Sequence, residues 1–128
     1  HMLSRNLTAA FLLSKAVIPH MRKQGFGRIL HIAARGALEP FPGAAAYLIA
    51  KFGLTALIRV LALELAGSGI TINGVLPSTI DTPVNRASLP DADPSQWVKP
   101  APIADLLLFL AGDEARQING ALLPIGSN

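Results

Sequence analysis

Hydrophobic residues recur along this chain in three similar units, each a helical pattern followed by a short apolar run. The helical patterns span residues 4–24, 43–66 and 102–115, and the apolar runs span residues 28–34, 70–76 and 120–126. Apolar positions three or four residues apart are typical of a helix with one face against a core. Short runs that are apolar almost throughout are typical of parallel strands, because helices cover both faces of such a sheet.

The alternation of helices and strands predicts an α/β fold. Right-handed crossovers place three parallel strands side by side in chain order. Three strands with covering helices make up about half of a doubly wound parallel sheet, so a partial Rossmann-like fold is expected. We expect a single domain over residues 3–128, and we leave His1-Met2 out because that pair is typical of a cloning remnant.

Turn-forming residues mark the ends of these elements. Ser4 is placed to cap the first helix, Gly25 and Gly27 to end it, and Pro19 to kink it. Residues 77–97 form a loop rich in Pro and Asp, which is long for a compact domain. Loops of this length are usually lids or binding loops, so we expect this one to border a site.

Composition narrows the class of protein. The chain is 51% hydrophobic and 15% charged, which argues against disorder. Its mean hydropathy of +0.44 indicates that a partner covers part of the surface or that part of the natural protein is missing. The net charge is +3, but the eleven Lys and Arg are scattered, and one Trp and one Tyr offer little base stacking. We therefore expect no nucleic-acid partner.

The expected location is the cytoplasm, because a chain without cysteine has no disulfide framework and no thiolate chemistry. No secretory or membrane segment is expected. The longest apolar stretch, residues 43–66, is interrupted by Lys51, Arg59 and Glu64.

Tyr47 and Lys51 are the first candidates for chemistry. They are four residues apart on a predicted helix, so their Cβ atoms lie about 5–6 Å apart on one face. A neighbouring ammonium favours the phenolate and would lower the Tyr pKa from about 10. Such a phenol can act as an acid or base near neutral pH. A Tyr and a Lys at this spacing also occur on many helices without any catalytic role.

The surroundings of this pair resemble the short-chain dehydrogenase/reductase family over nearly all of residues 4–126. The shared motifs are "NL" at 6–7, "GRI" at 27–29, Y-x-x-x-K at 47–51, "GITINGVLP" at 69–77, "IDTP" at 80–83 and "INGALLPIG" at 118–126. The resemblance is to the second half of that family's fold. It implies an oxidoreductase that uses NAD or NADP and a small-molecule substrate.

The resemblance also implies roles for individual residues. Tyr47 corresponds to the proton donor or acceptor, and Lys51 to the residue that holds the nicotinamide ribose and lowers the Tyr pKa. Asn6 corresponds to an asparagine that anchors a water in a proton relay. The segment that contacts the nicotinamide end is represented by Pro77, Ile80 and Thr82. Ser78 stands where the family commonly has glycine.

Ala34 departs from the family pattern. It lies thirteen positions before Tyr47, where most members carry the catalytic Ser that hydrogen-bonds the substrate carbonyl. One missing polarising donor costs orders of magnitude in rate, so the plain expectation is loss of ketone reduction. The segment "LPSTIDTPVNRASLPDADPSQW" also resembles a serine-less subfamily similar to dihydropteridine reductase. In that subfamily the substrate is already electrophilic, and we expect a working site of this kind.

The remaining candidates carry less weight. Arg86 and Trp97, in the loop that borders the substrate, are candidate substrate contacts. His20 and His31 have no partner at metal-ligand spacing, so no metal is expected, and we expect His31 to pack or hydrogen-bond. We interpret the carboxylates of Asp81, Asp91 and Asp93 as turn and cap residues.

No Gly-rich turn leads from a strand into a helix, so the chain lacks the usual cradle for the dinucleotide phosphates. We expect the isolated chain to bind NAD(H) poorly and to turn over slowly or not at all. The alternative interpretation is a self-associating structural fragment. The resemblance implies that the first two long helices, residues 4–24 and 43–66, form an interface between subunits. Pairing of two copies through the open edge of the strand at residues 28–34 is the other mode that we expect. In either case a homodimer or tetramer is expected.

Overall fold

The computed structural model describes residues 1–126 and contains one parallel sheet with helices on both faces. The strands are β1 (Gly27–Ile32), β2 (Ile70–Pro77) and β3 (Leu122–Ile125), and the helices are α1 (Ala9–Gln24), α2 (Ala45–Glu64), α3 (Pro83–Ser88) and α4 (Pro100–Ala111). Residues 127 and 128 of the predicted domain lie outside the described residues. The predicted α/β class is confirmed.

The sheet has the order β1-β2-β3, as the right-handed crossover rule predicts. Both pairings are parallel: Gly27 lies opposite Ile70 in the first, and Gly74 opposite Leu122 in the second. Among the described residues no strand pairs with the outer edge of β1. Because both pairings are parallel, the carboxyl ends of the three strands lie at the same end of the sheet, where ligands bind in open α/β sheets.

Two cores lie on opposite faces of the sheet, because successive side chains of β2 point to opposite sides. Ile72 and Leu76 pack with Leu54 and Ile58 of α2 in the first core. Val75 packs with residues of the α4 region in the second core. β2 is buried along its whole length, which explains why its sequence is almost continuously apolar.

Two asparagines attach the segment before β3 to β2. The Asn73 side chain is fully buried; its Nδ2 donates to the Ile118 carbonyl at 2.8 Å and its Oδ1 accepts from the Ala121 N–H at 2.9 Å. Asn119 Oδ1 accepts from the Ile72 N–H at 3.0 Å. Buried polar side chains of this kind are retained when every hydrogen-bonding group has a partner. These bonds set the position of β3.

Some local expectations need correction. Ser4 does not cap the first helix, because it lies inside a π-helical turn, Ser4–Thr8, and its hydroxyl donates to the His1 carbonyl instead. Helix α1 ends at Gly25, as predicted, where φ is +67°. The helix continues through Pro19 to Gln24, and the kink expected there stays a prediction. The 77–97 loop contains α3 and a 3₁₀ turn, Pro94–Gln96, so much of it is ordered.

Helix α2 is long and apolar enough to cross a membrane when it is judged by length and composition alone, with a mean hydropathy of 1.7. A core helix of a soluble protein passes the same test. One face of α2 packs on the sheet through Leu54 and Ile58, and Lys51 interrupts the apolar sequence near its first turns. The absence of a membrane partner stays a prediction.

Candidate active site

A cavity of about 590 Å³ opens at the carboxyl ends of β1 and β2. The predicted site residues that line it are Asn6, Ala34, Tyr47, Lys51, Pro77 and Ile80. These residues come from α2, from the ends of two strands and from the turn before α1. The structure therefore brings together most of the residues that the family resemblance singles out.

Lys51 is held in place at the back of this cavity. Its Nζ donates to the carbonyl oxygen of Ile32, the last residue of β1, at 3.0 Å. The same Nζ lies 5.7 Å from the centre of the Tyr47 ring. Burial lowers the pKa of Lys51, because the charged ammonium loses hydration there. The side chain thus presents a cation next to the phenol at a position set by the sheet.

Tyr47 is half-buried, and burial raises the pKa of its phenol above the ordinary value. The sequence predicts the opposite direction, from the attraction of the Lys51 ammonium. That prediction is wrong for this structure. Loss of hydration sets the direction of this shift, and the ammonium is hydrogen-bonded to the Ile32 carbonyl and lies 5.7 Å from the ring centre. The phenol is therefore protonated at neutral pH and suited to donate a proton.

Ala34 forms part of the cavity wall just beyond β1. It is buried and extended, and its carbonyl accepts from the Ala37 N–H at 2.9 Å, which begins a 3₁₀ turn. A methyl group therefore stands at position 34, where the resemblance predicts the family's serine. The cavity has no hydroxyl donor from this residue.

Asn6 reaches the cavity from the π-helical turn before α1. Its Nδ2 donates to the Met2 carbonyl at 3.1 Å. Single π-turns often occur at functional sites, because the extra residue redirects a side chain. Asn6 shares the cavity with Tyr47 and Lys51, and its role in a proton relay stays a prediction.

The end of β2 offers a polar group to a ligand in the cavity, while its predicted contact with the nicotinamide stays a prediction. Pro77 is buried, and Ser78 beside it lines the cavity with an Oγ that is itself buried and has no hydrogen-bond partner among the described residues. Such a hydroxyl is suited to a polar ligand group that enters the cavity. The glycine turns at Gly25 and Gly69 lead from helices into strands, so the described residues offer no phosphate cradle of the usual kind.

Thr82, Arg86 and Trp97 do not line the main cavity. Thr82 Oγ1 accepts from the Asn85 N–H at 3.2 Å and caps α3. Arg86 and Trp97 line a second, smaller cavity of about 130 Å³ next to the first. Arg86 forms an ion pair with Asp81, and this pairing together with Lys99 holds the pKa of the Asp81 carboxyl well below its usual range. The ligand contacts of these three residues stay predictions.

The other polar candidates have structural partners. His31 Nε2 lies 3.1 Å from the buried Ser14 hydroxyl, and burial followed by the nearby Lys51 charge lowers the His31 pKa. Asp93 caps a turn by accepting from the Ser95 N–H at 2.9 Å. Within residues 1–126 no group of three His, Asp or Glu is arranged to hold a metal ion.

Sequence reasoning missed several residues of the cavity wall, namely Arg35, Gly36, Glu39, Phe41, Asn85 and Leu89. Arg35 and Gly36 lie in a short 3₁₀ turn, and Glu39, Phe41 and Leu89 lie in loops. In such segments no periodic pattern marks the inward-facing side. The sequence offered one sign that Asn85 lies near the site, because Asn85 comes two positions after the "IDTP" motif. Its contribution depends on how α3 folds back toward the sheet.

Comparison with known proteins identifies this arrangement. The sequence family described as enoyl-(acyl carrier protein) reductase matches residues 1–126. The chain is 38% identical to 2-(R)-hydroxypropyl-CoM dehydrogenase of Xanthobacter autotrophicus, a match that covers 92% of this chain and 51% of that protein. It is 34% identical to D-beta-hydroxybutyrate dehydrogenase of Rhizobium meliloti, with 90% of this chain and 52% of that protein covered.

A solved structure, NAD⁺-bound xylitol dehydrogenase, has the same fold. It superposes with a TM-score of 0.88 at 27% identity and covers 98% of this chain and 58% of its own. The chain thus spans about half the length of the curated relatives that it matches. The family match covers nearly the whole chain, and the chain also has the motifs in their expected order and a cavity at the strand ends. The chain belongs to the short-chain dehydrogenase/reductase family.

Proposed function

We propose that this chain is the substrate-side half of an NAD(P)-dependent oxidoreductase with a serine-less active site. The observation that carries the proposal is the placement of Tyr47 and Lys51 in one cavity at the strand ends, with Ala34 in its wall. The relatives are named as dehydrogenases, and the xylitol dehydrogenase structure holds NAD⁺. We therefore propose that a nicotinamide cofactor, either NAD or NADP, is the redox partner.

The chain's own residues would manage the proton. The nicotinamide, when bound, accepts or supplies the hydride. Tyr47 would donate its phenolic proton to the substrate atom that becomes negative, or accept that proton in the reverse direction. Lys51 would stabilise the phenolate that forms, because its ammonium is already fixed beside the ring. Asn6, in the same cavity, would hold a water that returns the proton to Tyr47.

The alanine at position 34 favours a substrate that needs little carbonyl polarisation. A hydroxyl donor at this point would stabilise the developing alkoxide of a simple ketone, and Ala34 has none. A conjugated imine such as a quinonoid dihydropterin is already electrophilic and needs mainly hydride and a proton. We therefore propose that conjugated imines or quinones are reduced in preference to simple ketones.

The test compares substrates and chains. NADH and NADPH oxidation is followed with a quinonoid dihydropterin, a quinone and a simple ketone, using the purified chain and the full-length gene product. We expect saturable oxidation with the first two substrates by the full-length product, and little by the isolated chain. Reduction of the ketone at an equal or faster rate would contradict the proposed preference for conjugated imines and quinones. Saturable turnover by the isolated chain would contradict the need for a further phosphate-binding part.

A second role, self-association, is favoured by the outer faces of α1 and α2. Both faces carry large apolar side chains that are exposed in the single chain: Phe11, Leu12 and Leu13 on α1, and Ile49, Phe52, Val60 and Leu63 on α2. Apolar patches of this kind mark protein interfaces. We propose that two copies pair through these helices, and that the same chain serves catalysis and assembly.

A further inference from the structure

The segment between β2 and α4 leaves and rejoins the sheet region at adjacent points. Ile80 and Val98 form a parallel bridge that belongs to no longer strand. The Asp81 N–H donates to the Val98 carbonyl at 2.8 Å, and the Val98 N–H donates to the Thr79 carbonyl at 3.0 Å. Residues 82–97 therefore form a loop with a closed neck, as in compact Ω-loops.

One carboxylate connects both sides of this neck. Asp81 accepts from Arg86 Nε at 2.6 Å and from a second Arg86 nitrogen at 3.0 Å, and it also accepts from Lys99 Nζ. Arg86 lies inside the loop, and Lys99 lies just beyond it. The Asp81 side chain is only 8% exposed, whereas those of Arg86 and Lys99 are more than half exposed. Two-pronged contacts between Arg and a carboxylate are strong and specify orientation.

This ion cluster fixes the part of the loop that faces the main cavity. Arg86 lies in α3 directly after Asn85, which lines the cavity and donates from Nδ2 to the Ile80 carbonyl at 2.8 Å. Leu89, directly after α3, lines the cavity as well. A change in the tilt of α3 would move both residues relative to Tyr47.

We propose that Asp81 is a positioning residue that latches α3 against the main cavity and so sets the shape of the substrate site. This inference rests on the proposed function for its catalytic consequence, while the latch itself is a property of the fold. The Asp81 carboxylate forms its hydrogen bonds with Arg86 and Lys99 and none with Asn85, so it acts on the cavity wall through those two cations. The latch closes one wall of the cavity and leaves the Tyr47–Lys51 wall unchanged.

The first test measures amide hydrogen exchange in the purified chain. Asp81→Asn replaces one acceptor oxygen with a donor that faces two cations, so exchange within residues 83–97 should accelerate about tenfold or more. Exchange in β1 and β2 should stay as in the parent. Asp93→Asn is the matched control, since it makes the same change in the same loop away from Arg86 and Lys99. Arg86→Gln, at an exposed position, serves as the second variant.

Two results would overturn the latch. One is unchanged exchange in residues 83–97 of both Asp81→Asn and Arg86→Gln, and the other is equal acceleration in Asp93→Asn. Acceleration that spreads through β2 in Arg86→Gln would show a general loss of stability and would also contradict it. Asp81→Glu should restore much of the protection, because it keeps the two-pronged contact.

The second test asks whether the latch positions substrate. In the full-length gene product, Asp81→Asn should raise KM several-fold with kcat largely retained, because Tyr47 and Lys51 are untouched. If Asp81→Asn accelerates amide exchange in residues 83–97 but leaves KM unchanged, the ion cluster stabilises the loop without positioning substrate. That result would overturn the positioning role of Asp81. Absence of turnover by the parent protein would contradict the proposed function instead. The exchange result decides the latch separately, since it needs no substrate.

Discussion

Lys51 Nζ donates to the carbonyl oxygen of Ile32 across 3.0 Å, and this bond joins helix α2 to the carboxyl end of β1. The ammonium is buried, so it needs such a partner to offset lost hydration. The bond therefore holds the charge at one place relative to Tyr47, four residues earlier on the same helix. A Tyr and a Lys at this spacing are common on helices, but here the Ile32 carbonyl of the sheet fixes the lysine beside the tyrosine.

The phenol of Tyr47 should be needed for turnover but not for folding. Tyr47→Phe keeps the ring and removes only the proton donor, so kcat of the full-length gene product should fall about 10²–10⁴-fold. Tm should change little, because the residue is only half-buried. Kinetics with circular dichroism melts check both points. An unchanged kcat would refute the catalytic role of Tyr47.

A serine at position 34 should widen the substrate range. Ala34→Ser adds one hydroxyl to the wall of a partly polar cavity, and reduction of simple ketones should rise by at least about tenfold. Ala33→Ser is the matched control, because Ala33 lines the same cavity but is one residue away in register. If both variants leave the ketone rate unchanged, or raise it equally, position 34 does not face the reacting carbonyl.

Stability should depend on pH through His31. Burial and the Lys51 charge lower its pKa in the folded chain below the unfolded value of about 6.5. The unfolded chain then binds more protons as the pH falls below about 6.5, so the free energy of unfolding decreases in that range and is constant above it for this group.

His31→Gln should reduce this pH dependence, whereas His20→Gln, at an exposed position of α1, should leave it as in the parent. Urea unfolding of the three chains between pH 5 and 8 measures the effect. The same slope in the parent and in His31→Gln would show that His31 is not the responsible group.

The buried amide of Asn73 should contribute strongly to stability. Asn73→Ala leaves the Ile118 carbonyl and the Ala121 N–H without their side-chain partner, and the free energy of unfolding should fall by about 2–4 kcal/mol. Gln117→Ala, which removes an exposed amide from the adjacent turn, should change it by less than about 0.5 kcal/mol. Similar losses in the two variants would contradict this account.

Self-association should depend on the outer faces of α1 and α2. Light scattering of the purified chain should show a dimer or a tetramer at micromolar concentration. The double variant Leu12→Glu/Leu63→Glu places charges on both faces and should shift the chain toward monomer. Leu108→Glu makes a similar change on α4 and should leave the oligomer intact. A stable monomeric parent chain would contradict the proposal.

The class of the fold could be predicted because hydrophobic periodicity is a local property, and the order of the strands then followed from the right-handed crossover rule. Residues that alternate between helical and strand patterns identify their elements without knowledge of their neighbours. Helix geometry likewise places Tyr47 and Lys51 on one face. Their assignment as the catalytic pair, however, came from the family resemblance of the surrounding motifs.

The sequence by itself determined the three helix–strand units, the α/β class and the spacing of the Tyr–Lys pair, because each depends only on residues close together in the chain. Only the tertiary structure decided the direction of the Tyr47 pKa, the pairing of Arg86 with Asp81 and the bonds of Asn73. Each of these depends on which distant groups share a buried volume and how much water remains there. Burial and long-range pairing are set by packing, and local pattern does not contain them.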